Sequence, residues 1–224
     1  MARSFSAAAL AAMLFFCFGQ SLYADDPIVG ITYSANCIPF SCDAAYGIST
    51  YQQVYASSAF AGVTPFNQIS FFLSPYFGGG LDFGTYDISF SYTSQAVGGL
   101  SSASPGANIG MDETAFGTYV LGGGVAPATL TFAGNTFDYD PTQGNLLMTI
   151  GISGASDTVF AFYDADDTGS VTSRAYFGST QGADSVGLVT GFNDVSSSVP
   201  EPGSLLLLGT VLLGLGGRTI FKRK

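Results

Sequence analysis

One stretch of the chain spaces its side-chain oxygens as a metal loop would. In Asp164-Ala165-Asp166-Asp167-Thr168-Gly169, oxygen-bearing side chains alternate at Asp164, Asp166 and Thr168 with Asp167 beside them, and Gly169 follows where a sharp bend is needed. A calcium loop begins this way, but it calls for a bidentate glutamate at its twelfth position, where this chain has Ala175. A solvated acidic turn between Val159-Phe160-Ala161-Phe162 and Val171 is the simpler expectation, with Ca2+ as the sharper alternative. Carboxylates also fall together at Asp112/Glu113 and Asp138/Asp140, the residue types of a glycosidase pair, although no separation follows from sequence. Tryptophan, a frequent sugar-stacking residue, is absent.

Cys37 and Cys42 enclose Ile38-Pro39-Phe40-Ser41. A pair in an exported chain reads as a disulfide closing a small loop, and the spacing does not match the Cys-x-x-Cys of redox sites. The chain has no histidine. That removes Ser-His-Asp and Cys-His catalysis and imidazole-based zinc sites, leaving acid-base work to carboxylates alone. The expectation is a non-enzymatic protein without a resident cofactor.

Charge is divided unevenly along the chain. Of six basic residues only Arg174 lies between Asp25 and Ser198, against 15 Asp and Glu in the same span. Such a surface repels phosphate backbones, so nucleic-acid binding is excluded. Phe and Tyr recur too often for an acidic disordered segment, and about 175 residues are enough for one domain with a core.

The elements that carry these residues read as strands. Along Thr85–Thr93, Tyr86, Ile88, Phe90 and Tyr92 fall on one face, with Asp87, Ser89 and Ser91 on the other. Similar runs span 68–73, 116–121, 129–132, 146–152, 158–163, 171–177 and 185–192, separated by Gly-, Pro- and Asn-rich turns such as Gly78-Gly79-Gly80 and Gly122-Gly123-Gly124. Residues 44–58 suit a short helix or a strand equally, and at 137–148 Asp140-Pro141 presets a turn. Many short strands with turn signals at roughly ten-residue intervals predict an all-β antiparallel sandwich of jelly-roll type over residues 25–198, and no fixed-period repeat competes with it.

Both ends differ in kind. Arg3 precedes an apolar run from Ala7 to Phe18, then a polar stretch leads to Ala24 before Asp25. This is a signal peptide over 1–24 with a signal helix too short to anchor permanently: 12 residues span only about 18 Å. Cys17 follows the bulky Phe16, which disfavours lipidation. At the other end Val199-Pro200-Glu201-Pro202 is followed by an apolar span from Leu205 to Phe221 and a basic cluster of Arg218, Lys222, Arg223 and Lys224. The span reads as a single transmembrane helix of roughly 26 Å, with its basic end held on the cytoplasmic side and the domain outside.

This order of parts over 199–224 resembles the PEP-CTERM sorting signal, a tail also labelled after ice-binding proteins without implying that activity. The resemblance implies Pro200-Glu201-Pro202 as signature and an exosortase that processes the tail after the export machinery and signal peptidase have acted at the other end. It also implies transient inner-membrane anchoring and a final place at the cell surface or in an exopolysaccharide matrix. The domain is then expected to be a matrix component, or alternatively a polysaccharide- or calcium-binding module with Asp164, Asp166 and Asp167 as ligands.

Overall fold

A computed structural model describes residues 27–75, 78–110, 112–156 and 160–193. The chain divides into two units, Met1–Asp194 and Val195–Lys224. The second unit, together with the signal peptide and the sorting residues Pro200, Glu201, Pro202, Arg218, Lys222, Arg223 and Lys224, lies outside the described residues. Among the described residues no helix is long and apolar enough to cross a membrane.

The described part of the first unit is built from β-strands, with one single-turn helix and short 3-10 turns. Its strands are β1 (Ile28–Val29), β2 (Ser34–Asn36), β3 (Ile48–Tyr55), β4 (Thr64–Phe72), β5 (Phe83–Thr93), β6 (Thr114–Gly122), β7 (Thr129–Tyr139), β8 (Asn145–Ser156), β9 (Tyr163–Asp166), β10 (Thr172–Gly178), β11 (Gly182–Asp184), β12 (Gly187–Leu188) and β13 (Thr190–Phe192). Three antiparallel sheets result: β1-β13-β4-β7, β11-β10-β3-β8-β5-β6, and a small β12-β9-β2. The first strand pairs with the last, β4 with β7 and β3 with β8, while the consecutive strands β5–β6 and β10–β11 pair directly.

The two larger sheets meet through interlocked rings. Phe66 on β4 lies 4.8 Å from Phe90 on β5 and 4.9 Å from Phe192 on β13, and Phe90 lies 5.3 Å from Phe116 on β6. Rings in edge-to-face and tilted contact add to the roughly 1.5–3 kcal/mol that each buried side chain contributes. A second cluster gathers around Phe40, which packs on Phe71, Tyr86 and Phe132 at 5.1–5.5 Å. Phe40 has φ of 89°, a backbone costly for an aromatic residue. Complete burial of its ring offsets that cost.

The long edges of the sheets close on each other at β6 and β7. Tyr119 OH donates to the Ala133 carbonyl (2.9 Å) and Asn135 Nδ2 to the Ala115 carbonyl (3.1 Å). Gly134 sits so close to Phe116 that a Cβ would stand 2.3 Å from its carbonyl oxygen, which is why no side chain fits there.

Four details depart from the sequence reading. The strand expected over 158–163 forms later, at Tyr163–Asp166, while Phe160 makes only an isolated bridge to Gly80. The run 185–192 breaks into β12 and β13 because the chain crosses there between sheets: Leu188 pairs with Ala165, and Thr190 with Phe71. Residues 44–58 hold both alternatives in turn, a single-turn helix α1 (Asp43–Tyr46) stopped by Gly47 at φ 62°, then β3. Finally, Ser91 is buried although its face of β5 was expected outward. The loop after β5 folds back over that face, with Leu100 packed on Val54, Leu147 and Phe177, and Asn108 donating to Gln52 Oε1 at 2.8 Å.

Candidate functional site

The Asp164–Thr168 segment is a strand end and a tight turn. Asp164 and Asp166 belong to β9, and Asp166 is fully buried. Its Oδ1 accepts from the Thr168 amide (2.9 Å) and hydroxyl (2.6 Å), and its Oδ2 accepts from the Ile31 amide (3.1 Å). Asp164 Oδ2 accepts a longer bond from the Thr32 hydroxyl (3.3 Å), and its Oδ1 is buried without a hydrogen-bond partner. Asp167 takes part through its carbonyl, which accepts from Ser185 Oγ (3.2 Å). Pairing with β2 and β12 keeps Asp164 and Asp166 extended, and the oxygens of Asp166 serve the turn and the Ile31 amide. Among the described residues no group of three or more His, Cys, Asp or Glu side chains converges as a metal site.

The other carboxylates named from sequence serve local structure. Asp140 Oδ1 accepts from the Thr142 hydroxyl (2.7 Å) and amide (2.9 Å), and the hydroxyl bond above all lowers its pKa below the ordinary aspartate value. Pro141 starts the short 3-10 turn that follows. Glu113 Oε1 accepts from Ser89 Oγ (2.6 Å) across the β5–β6 ladder. Asp138 contributes its backbone carbonyl to Tyr92 OH (3.2 Å) while its side chain faces outward.

Cys37 and Cys42 form a disulfide with Cα atoms 5.6 Å apart. Next to it lies a pair of carboxylates that sequence reading passed over. Asp43 and Asp82 are both fully buried. Asp43 Oδ2 accepts from the Phe40 amide (2.9 Å) and from Tyr86 OH (3.1 Å), and Asp82 Oδ2 accepts from the Asp43 amide (2.9 Å). The Asp82 amide in turn donates to the Phe40 carbonyl (2.7 Å). These bonds tie the disulfide loop to the entry of β5 and fix the unusual backbone of Phe40. The available signal was an aspartate opening a helix directly after a cysteine, where amide donors are free.

Arg174, the lone basic residue of the domain sequence, is 7% exposed on β10. Asp184 holds it in a two-pronged ion pair, Nε to Oδ1 at 2.9 Å and Nη2 to Oδ2 at 3.0 Å. Its Nη1 is buried without a hydrogen-bond partner, and its guanidinium carbon lies 5.3 Å from the Tyr176 ring centroid. A cleft of about 320 Å³ opens here, lined by Arg174 with Asn36, Tyr46, Tyr176 and Thr180. A second cleft of about 500 Å³ lies between Tyr33, Ser74, Pro75 and Asp164. Burial pushes the Tyr51, Tyr55 and Tyr163 hydroxyls well above the ordinary tyrosine range, so they stay neutral inside the fold.

Neither the curated proteins nor the solved structures contain a match to the chain. The family model of the PEP-CTERM protein-sorting motif matches residues 198–224, and this tail is such a motif.

Proposed function

We propose that a chain ending in a PEP-CTERM sorting motif is an exosortase substrate whose β domain is the exported cargo, a non-catalytic component of the cell surface or extracellular matrix. The matched tail at 198–224 carries this reading. After passage through the export machinery and removal of residues 1–24 by signal peptidase, the apolar span from Leu205 to Phe221 holds the protein in the inner membrane, with Arg218, Lys222, Arg223 and Lys224 on the cytoplasmic side. The exosortase then processes the chain near Pro200-Glu201-Pro202, where two prolines keep the backbone extended and short of amide donors.

The cargo is a jelly-roll-type sandwich in this reading, closed on a single aromatic core. A chain without histidine, whose acidic side chains are committed to turns and loop ties, favours a structural or adhesive role over catalysis. Its surplus of Asp and Glu suits solubility within a polyanionic exopolysaccharide matrix.

Mass spectrometry of the protein recovered from producing cells and from an exosortase-deficient strain tests the reading. The expected mature form begins near Asp25 and ends near Pro200 in the first strain and retains residues 203–224 in the second. Recovery of the intact tail from the surface of both strains overturns it.

A further inference from the structure

We infer that the cleft beside Arg174 is a binding site for a neutral saccharide. Position comes from the register. The first and last described strands are neighbours, Ile28 opposite Gly191, and the Phe192 amide donates to the Pro27 carbonyl at 3.0 Å, so the chain enters and leaves at one end. Tyr55 marks that end of β3 and β10, since its ring packs 5.2 Å from Phe192 and its register partner is Thr172. The cleft runs from Arg174, opposite Gln53, towards the other end of the same pair. There Gly178 meets Ile48, and the Ser179 amide donates to the Gly47 carbonyl (2.8 Å), which sets Tyr46 beside Tyr176 and Thr180.

The lining selects the ligand. Tyr46 is 48% exposed and offers a broad amphipathic face, Tyr176 offers a second, and Asn36 and Thr180 add an amide and a hydroxyl. Arg174 supplies a guanidinium whose charge Asp184 already balances. A carboxylate or sulfate meets a neutralised arginine inside a strongly acidic domain, so the cleft offers an anion no net attraction. A divalent cation finds a guanidinium in its way, and a wholly apolar ligand strands the polar groups. A pyranose joins flat apolar faces to neutral hydroxyls, and the cleft volume is at the lower end of the range for small-ligand pockets, about 300 Å³. The inference rests on the cleft and not on the sorting reading, so loss of exosortase processing leaves it standing.

Saturation-transfer NMR on the full chain, held in a zwitterionic detergent without a sugar headgroup, tests it. The probes are methyl β-glucopyranoside, methyl β-galactopyranoside and methyl N-acetyl-β-glucosaminide, with methyl β-glucuronide as the anionic arm. At least one neutral glycoside is expected to bind with millimolar affinity. Tyr46→Ala, a substitution at a half-exposed position, should weaken it about tenfold. Arg174→Lys, which keeps the charge opposite Asp184 but loses the two-pronged pair and the planar group beside Tyr176, should weaken it too wherever near-UV circular dichroism shows an intact fold. Tyr33→Ala, in the neighbouring cleft, should leave it unchanged. No neutral binding up to about 10 mM, preference for the glucuronide, loss through Tyr33→Ala, or indifference to Tyr46→Ala each overturns the inference.

Discussion

Two pairs of aspartates, Asp43/Asp82 and Asp164/Asp166, sit in the same small domain and do opposite amounts of work for its stability. Asp164 and Asp166 have the alternating spacing that suggests a ligand set, yet one has a single long bond and an unpartnered oxygen, while the other serves a turn. Asp43 and Asp82 have no spacing to recommend them, being far apart in sequence. They nevertheless meet in the interior and together hold the Phe40 amide, the Tyr86 hydroxyl and the Asp43 amide. The role of a carboxylate here follows from its depth and from the donors around it, since a buried donor without a partner costs far more than a surface one.

The contrast breaks first at Asp43. Asp43→Ala removes the acceptor of both the Phe40 amide and the Tyr86 hydroxyl, and should cost about 2–4 kcal/mol in denaturant unfolding. A loss no larger than that of Asp166→Ala, expected at about 1–2 kcal/mol from the Ile31 and Thr168 bonds, would erase the distinction. Opening the neighbouring disulfide by Cys37→Ala with Cys42→Ala should cost at most about 2 kcal/mol, because so short a loop constrains the unfolded chain little. Asp164→Ala should change stability by less than about 0.5 kcal/mol, and a larger loss would mean that its unpartnered oxygen has an occupant. Calcium at millimolar concentration should accordingly leave the melting temperature unmoved, a result that calorimetry of the same sample can check.

Alkali sharpens the comparison from the other side, because the domain interior is rich in tyrosines that must stay neutral. Their folded pKa values lie above the unfolded value of 10.0, so the stability linked to them is complete below that pH and is lost as pH rises past it. Unfolding midpoints followed from pH 8 to about pH 11 should fall only above about 10. An earlier decline would place the alkaline sensitivity elsewhere.

Much of the fold was legible because burial of one strand face leaves a period of two in the chain. Tyr86, Ile88 and Phe90 point inward as their alternation requires. The same rule misjudged Ser91, since nothing in β5 itself tells that the following loop returns to cover its outer face. It also misplaced β9, because residues 160–166 carry apolar groups in both halves and only the partners β2 and β12 select the second. The cleft beside Arg174 had a faint signal in the isolation of that one cation, but its walls come from separate parts of the chain.

What the sequence determined by itself was the kind of β protein this is and the sorting address at its end. Strand periodicity, turn residues and a linear Pro-Glu-Pro, apolar and basic tail are all local in the chain. The tertiary structure alone decided which carboxylates are buried ties and where a cleft opens. Those outcomes depend on residues such as Asp43 and Asp82, or Tyr46 and Arg174, brought together across long stretches of chain, and burial, which sets their energies, exists only once the sheets have closed.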